Sequence, residues 1–163
     1  MTVAWLSRPA WRLMADEASA RYPLETGGVL AGYWVGPDEL VIKAASEPGK
    51  EAVHRRYRFS PDHDHQLAWI AAGYEQTDGV ETYLGDWHTH PGAQVAVPSA
   101  ADRRTARRIS EHKEARAPNP VLLILAGDQA GWTTFCWVAQ PKLRFGVFPY
   151  VQLDRCTVKL FDA

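Results

Sequence analysis

Apolar and polar positions along this chain change period several times, and the changes mark the predicted elements. The run Trp11 to Ala20 predicts a first helix, with Pro9 tolerated near its start. Apolar runs at Gly28–Val35 and Glu39–Ala45 predict a hairpin across Gly36-Pro37-Asp38. Tyr57-Arg58-Phe59 predicts a short strand. Ser60-Pro61-Asp62 then reads as N-cap, N1 and N2 of a second helix reaching about Tyr74. Thr82–Thr89 predicts a strand and Ala100 to about Ala115 a third helix opened by Ser99. Val121–Ala126 and Trp132–Val138 predict a second hairpin, and 143–148 and 151–161 add further strands. Strands and helices interleave in this way in an α/β fold, with a mixed central β-sheet flanked by helices.

Composition narrows the class. At 163 residues, with 46 % hydrophobic and 23 % charged positions, the chain is long enough for one domain with a real core, over 1–163. No apolar run approaches the roughly 20 residues that cross a bilayer as a helix, so no membrane partner is expected. The start MTVAWLSRPAWRL lacks a secretory pattern, which predicts a cytoplasmic protein. A net charge of −1 gives bulk electrostatics no pull toward nucleic acid. Cys136 and Cys156 are too few for a disulfide framework and lack zinc-motif spacing; both fall in strand-like stretches, as buried or half-buried thiols would.

The chemistry concentrates in GDWHTHPGAQVAVPSAADRR. His88 and His90 are two apart on a predicted strand, so their rings share a face and can converge on one ion. Asp102, twelve residues after His90, offers a third ligand. Three protein ligands leave a tetrahedral position open for water, which is the catalytic rather than the structural pattern for zinc. Ser99-Ala-Ala-Asp102 also spells a helix capping box. The two roles are compatible, since a cap fixes both side chains one turn into a helix. Glu25 precedes Gly27 and Gly28, whose small size permits close backbone approach, and it suits a general base.

Glu25 in LETGGVLAGY, His88-Thr89-His90-Pro91 and Ser99-x-x-Asp102 together resemble the JAB/MPN-plus (JAMM) metalloproteases, over about residues 20 to 140. The resemblance implies an MPN (JAB)-like fold, zinc held by His88, His90 and Asp102, and Glu25 as general base. It implies that Ser99 supports the reacting water and the developing oxyanion. The implied reaction is hydrolysis of the amide after the C-terminus of a ubiquitin-like protein, in precursor processing or in deconjugation. ETGGVLAGYW and GDWHTHPG look most like bacterial members encoded beside E1- and E2-like enzymes in anti-phage systems, which implies those enzymes as partners. One feature departs from the family pattern. Residues 91 to 98 put eight positions between His90 and Ser99, where the family usually has seven. The extra residue falls in a loop stretch, where it can bulge outward without moving either end.

Rival classes are a metal-free MPN scaffold, which usually lacks one of the five site residues, and a RadC-type DNA-repair-associated protein, against which the near-neutral charge counts. Other groups read more plainly. His63-Asp64-His65 sits in a predicted first helical turn, where positions two apart face differently, so its polar side chains are expected on the surface. Arg103, Arg104, Arg107 and Arg108 form either a solvated helix face or a basic patch for an acidic partner near the site. Trp34, Trp69, Trp132 and Trp137 are expected in or near the core, and Trp87 along the cleft.

Overall fold

A computed structural model describes residues 1–163. Its strands are β1 (Val3–Ser7), β2 (Gly27–Gly36), β3 (Glu39–Ala45), β4 (Val53–Arg55), β5 (Arg58–Ser60), β6 (Thr82–Pro91), β7 (Val121–Asp128), β8 (Gly131–Arg144) and β9 (Phe148–Phe161). Three helices, α1 (Arg8–Arg21), α2 (His63–Gln76) and α3 (Ala100–Glu111), join them. Seven strands form one mixed sheet in the order β1-β3-β2-β6-β7-β8-β9. The sheet closes on itself because β1 pairs in parallel with both β3 and β9. The small antiparallel hairpin of β4 and β5 stands apart.

The mixed α/β architecture agrees with the expectation, and closure of the sheet adds to it. Closure depends on β1, whose five residues are too few to stand out beside the helix that follows at once. Ser7 ends β1 and caps α1, its hydroxyl oxygen accepting from the Ala10 amide. Helix α1 presents Ala10, Met14, Ala15 and Ala18, one stripe at i, i+4 spacing, to a core that includes Leu6, Leu40, Ile42, Leu123 and Leu125. A second, smaller cluster of Leu122, Ile124, Ala126, Phe135 and Trp137 lies on the opposite face of β7 and β8, with α3 packed on that side.

Several local readings change. The N-cap of α2 is Asp62, accepting from the His65 amide, because Ser60 is taken up as the last residue of β5. Helix α3 stops at Glu111, and Lys113–Ala115 forms a 3₁₀ turn. Residues 145–147 are the turn of a long β8–β9 hairpin, not a strand. Trp34 stands 36 % exposed, out beyond the packed part of β2. Trp87 borders the cleft as expected and also belongs to the core, its indole N–H donating to the Ser46 carbonyl at 3.0 Å. His63 is exposed as expected, whereas His65 is half-buried and its Nε2 is enclosed without a partner.

Candidate active site

Strand β6 decides which side chains face the site. Leu84 and Trp87 both pack in the main core, although three positions apart, because a bulge at Leu84–Gly85 shifts the alternation. Gly85 adopts φ +149°, and a Cβ there would run into the backbone of Val121 on β7. Past the bulge, Trp87 and Thr89 point into the core, while Asp86, His88 and His90 point to the side of α3.

Two further devices bring Glu25 to that strand. Thr26 and Thr89 lock β2 to β6: the Thr26 amide donates to Thr89 Oγ1 at 3.0 Å, and the Thr89 amide donates to the Thr26 carbonyl at 2.9 Å. Gly27 and Gly28 pair with His88 and Trp87. A Cβ on Gly28 would meet the Ser46 carbonyl, and Trp87 Nε1 at 2.6 Å, so the close approach requires glycine. The β4–β5 hairpin holds Glu25 from outside. The Glu25 amide donates to the Arg55 carbonyl at 2.8 Å, and His54 Nδ1 lies 3.0 Å from the Glu25 carbonyl oxygen.

Asp102 arrives on the first turn of α3. Its Oδ2 accepts from the Ser99 amide at 2.6 Å, and Ser99 Oγ accepts from the Asp102 amide at 3.2 Å, a complete capping box. The cap engages one carboxylate oxygen and aims the other: Oδ1 lies 3.3 Å from His88 Nε2. The loop before it packs partly inward. Ala96 and Pro98 are buried as anchors, while Val95 and Val97 turn outward, 62 % and 67 % exposed.

His88 Nε2 and His90 Nε2 are 3.2 Å apart, and the candidate ligand atoms of His88, His90 and Asp102 all lie within 4.8 Å of one another. Two donors at 2.0–2.1 Å from a tetrahedral ion sit about 3.3–3.4 Å apart, so both short separations fit a shared metal. Burial lowers the His88 pKa to about 4 against the pull of Asp102, with His90 adding to the lowering. His90 is lowered as well, first by burial. Both imidazoles are therefore neutral at neutral pH, as metal ligands must be. Glu25 is half-buried, and burial first, then the charge of Asp102, pushes it up to about 7. That value suits a group that takes and returns a proton near neutral pH.

All five residues border one cleft of about 920 Å³, closed on one side by α3 and on the other by the β4–β5 hairpin. The structure thus brings together Glu25, His88, His90, Ser99 and Asp102. It adds three groups that the motif did not include: His54, Asp86 and Tyr83, whose hydroxyl donates to Asp86 Oδ1 at 2.7 Å. Asp86 was readable by strand period, two residues before His88. His54 had no local signal, because its contact with Glu25 spans 29 positions.

A closed mixed sheet that presents two neutral histidines and a capped aspartate to an open cleft, beside a half-buried glutamate of raised pKa, fits a metal-dependent hydrolase. Residues 7–139 match the family described as prokaryotic homologs of the JAB domain. A "Probable metalloprotease y4qB" of Sinorhizobium fredii is 38 % identical over 157 residues, covering 96 % of each chain. A "CD-NTase/cGAS isopeptidase" of Escherichia coli is 34 % identical over 130 residues, covering 80 % of this chain and 79 % of that one. Another of that description, from Vibrio cholerae, is 34 % identical over 108 residues, 66 % of this chain and 65 % of its own. In fold, the chain is similar to protein DSY2949 of Desulfitobacterium hafniense, with a TM-score of 0.66 at 21 % identity, over 98 % and 94 % of the two chains. The chain belongs to the prokaryotic JAB family and is a hydrolase of the metallopeptidase type.

Proposed function

We propose that residues 1–163 act as one zinc-dependent isopeptidase domain, cutting the amide after the C-terminus of a ubiquitin-like modifier or a modifier-like protein. The observation that carries this reading is the joint placement of His88, His90 and Asp102 at metal-binding separations, with Glu25 on the same cleft. The bound ion supplies a Lewis acid for the scissile carbonyl and eases ionisation of water. In this reading Glu25 accepts the proton of the attacking water and hands it to the leaving amine, for which a pKa of about 7 is well placed. Ser99 Oγ keeps its own proton while accepting from Asp102, so it can donate to the developing oxyanion. The open cleft admits an extended chain segment on either side of the amide.

Relatives named CD-NTase/cGAS isopeptidases support a place among bacterial conjugation systems, with E1- and E2-like enzymes as partners and anti-phage defence as the setting. A cytoplasmic location belongs to the same proposal. A scaffold role or a RadC-type role finds no specific support in the site, where all five residues converge.

Metal analysis of the purified protein tests the reading, beside assays of a modifier-like fusion. About one zinc per chain, lost in His88→Ala, and cleavage abolished in Glu25→Gln are expected. Wild-type protein that purifies without metal and takes up none on addition refutes it. So does Glu25→Gln that cleaves as fast as wild type.

A further inference from the structure

The chain carries a net charge of only −1, yet its cationic side chains are not spread evenly. Four arginines border the cleft. Arg56 and Arg58 come from the β4–β5 hairpin, and Arg104 and Arg108 lie one turn apart on α3. All four are exposed. The side-chain ion pairs of the fold are Arg8–Asp162, Arg21–Glu17, His88–Asp102 and Arg107–Glu111, so none of the four cleft arginines has a carboxylate partner at contact distance. Arg107, which does, is on the same helix but off the cleft.

The acids of the cleft leave this charge largely uncompensated. Asp102 is engaged by the Ser99 cap and by His88. Asp86 sits below the rim, bonded to Tyr83, with Arg108 the one arginine whose charge it feels appreciably. Glu25 is half-buried, with its amide bonded to the Arg55 carbonyl, and its carboxylate forms no ion pair with any of the four arginines. Arg56, Arg58 and Arg104 therefore face solvent with no opposite charge fixed against them, on both walls of the groove.

Their distance from the reacting centre sets what they can touch. The backbone of Arg55, next to Arg56, is bonded to Glu25 itself. Arg104 is two residues after Asp102, and Arg108 lies about 9 Å further along α3 from that ligand, at 1.5 Å of rise per residue. An extended substrate advances about 3.3 Å per residue. Side chains within about three residues of the scissile amide thus come within reach of guanidinium groups, which bind carboxylates in forked pairs.

We propose that this arginine rim selects substrates whose scissile amide is flanked by acidic residues, so that an acidic polypeptide segment is the ligand of the cleft walls. The proposal rests on the peptidase reading for its choice of a polypeptide. Nucleic acid is the less favoured anion, because the positive charge is confined to the rim of one groove in a chain of near-zero net charge.

The test uses zinc-loaded Glu25→Gln protein and three fluorescein-labelled branched peptides. Each carries a Gly-Gly isopeptide to a lysine, flanked by Glu, Ser or Lys, and binding is read by fluorescence anisotropy. The Glu-flanked peptide is expected to bind about tenfold more tightly than the Ser-flanked one at low salt, and the gap to narrow toward 0.5 M salt. Adding Arg56→Glu and Arg104→Glu together should erase or reverse the preference. Arg103→Glu, a like charge change on α3 away from the cleft, should leave it within about twofold. The same peptides given to wild type report kcat/KM.

Equal binding of the Glu and Ser peptides overturns the proposal, as does an equal loss in Arg103→Glu, which would mark a net-charge effect. Displacement of the Glu peptide by a short single-stranded DNA at lower concentration than by unlabelled peptide overturns it in favour of nucleic acid. Arg-dependent binding of the Glu peptide without cleavage by wild type supports the acidic-segment site and counts against the peptidase reading. Cleavage that ignores the flanking charge does the reverse.

Discussion

Glu25 is held in a state that costs the fold stability, and its replacement should reveal that cost. Burial and the Asp102 charge raise its pKa from 4.5 to about 7. A carboxyl whose pKa rises on folding binds its proton more tightly in the folded state, so stability falls as pH climbs from about 4.5 to about 7 and stays lowered above that range. The full shift corresponds to about 3–4 kcal/mol, and because Glu25 retains contact with water, screening brings this to about 1–2 kcal/mol. Glu25→Gln keeps the shape and removes the charge. In metal-free protein at pH 8 it should raise Tm by about 2–8 °C, at about 2–4 °C per kcal/mol for a chain of this size. At pH 4.5 the gain should vanish, since wild-type Glu25 is then protonated when folded. A thermal-shift series in chelator from pH 4.5 to 8 reads both. A variant no more stable than wild type at pH 8 refutes the reasoning. A gain equal at both ends of the series also refutes it, by assigning the effect to packing rather than charge.

Other substitutions follow from the same geometry. Ser99→Ala removes the N-cap acceptor and should cost about 1 kcal/mol in thermal unfolding, while weakening metal affinity in a competition assay because Asp102 loses part of its cap. Asp102→Asn should reduce metal content more than Ser99→Ala, measured by elemental analysis, since it removes the charge of the proposed ligand itself. Gly28→Ala should destabilise by about 1–3 kcal/mol or more in denaturant melts, because its Cβ has no room between Ser46 and Trp87. Cys136 is enclosed, and burial adds to the Cys156 contact that raises its pKa, so it should resist a thiol reagent in native protein and react on unfolding.

The elements that could be read from the chain were those whose own residues fix them. Strand β3 begins and ends where its apolar run does, at Glu39 and Ala45, because hairpin partners set both ends. Ser99 and Asp102 read correctly as a cap because a capping box is complete within four residues. β1 and β4 were missed because five and three residues carry too little pattern; β1 is held by distant partners, Val3 by Glu39 and Thr157, while β4 pairs only with its three-residue neighbour, Val53 with Ser60. The tip of the β8–β9 hairpin failed for a related reason. Its apolar residues, among them Leu143 and Phe148, are 61 % and 64 % exposed, so hydrophobicity there does not report burial.

The site shows the same division on a smaller scale. His88 and His90 share a face by strand period alone, but period cannot say which face, since a one-residue slip would turn both rings into the core. That choice is made by the bulge at Gly85, which lets Leu84 and Trp87 both pack inward and so delivers Asp86, His88 and His90 to the side of α3. Gly85 in turn is required by the backbone of Val121, 36 positions later, against which no side chain fits. The motif therefore names the candidate site residues, and a contact between β6 and β7 decides that they meet. Gly85→Ala should accordingly disturb metal binding as well as stability, although Gly85 touches neither ligand nor cleft. Retention of full zinc affinity in a folded Gly85→Ala protein would show that the bulge does not set the face.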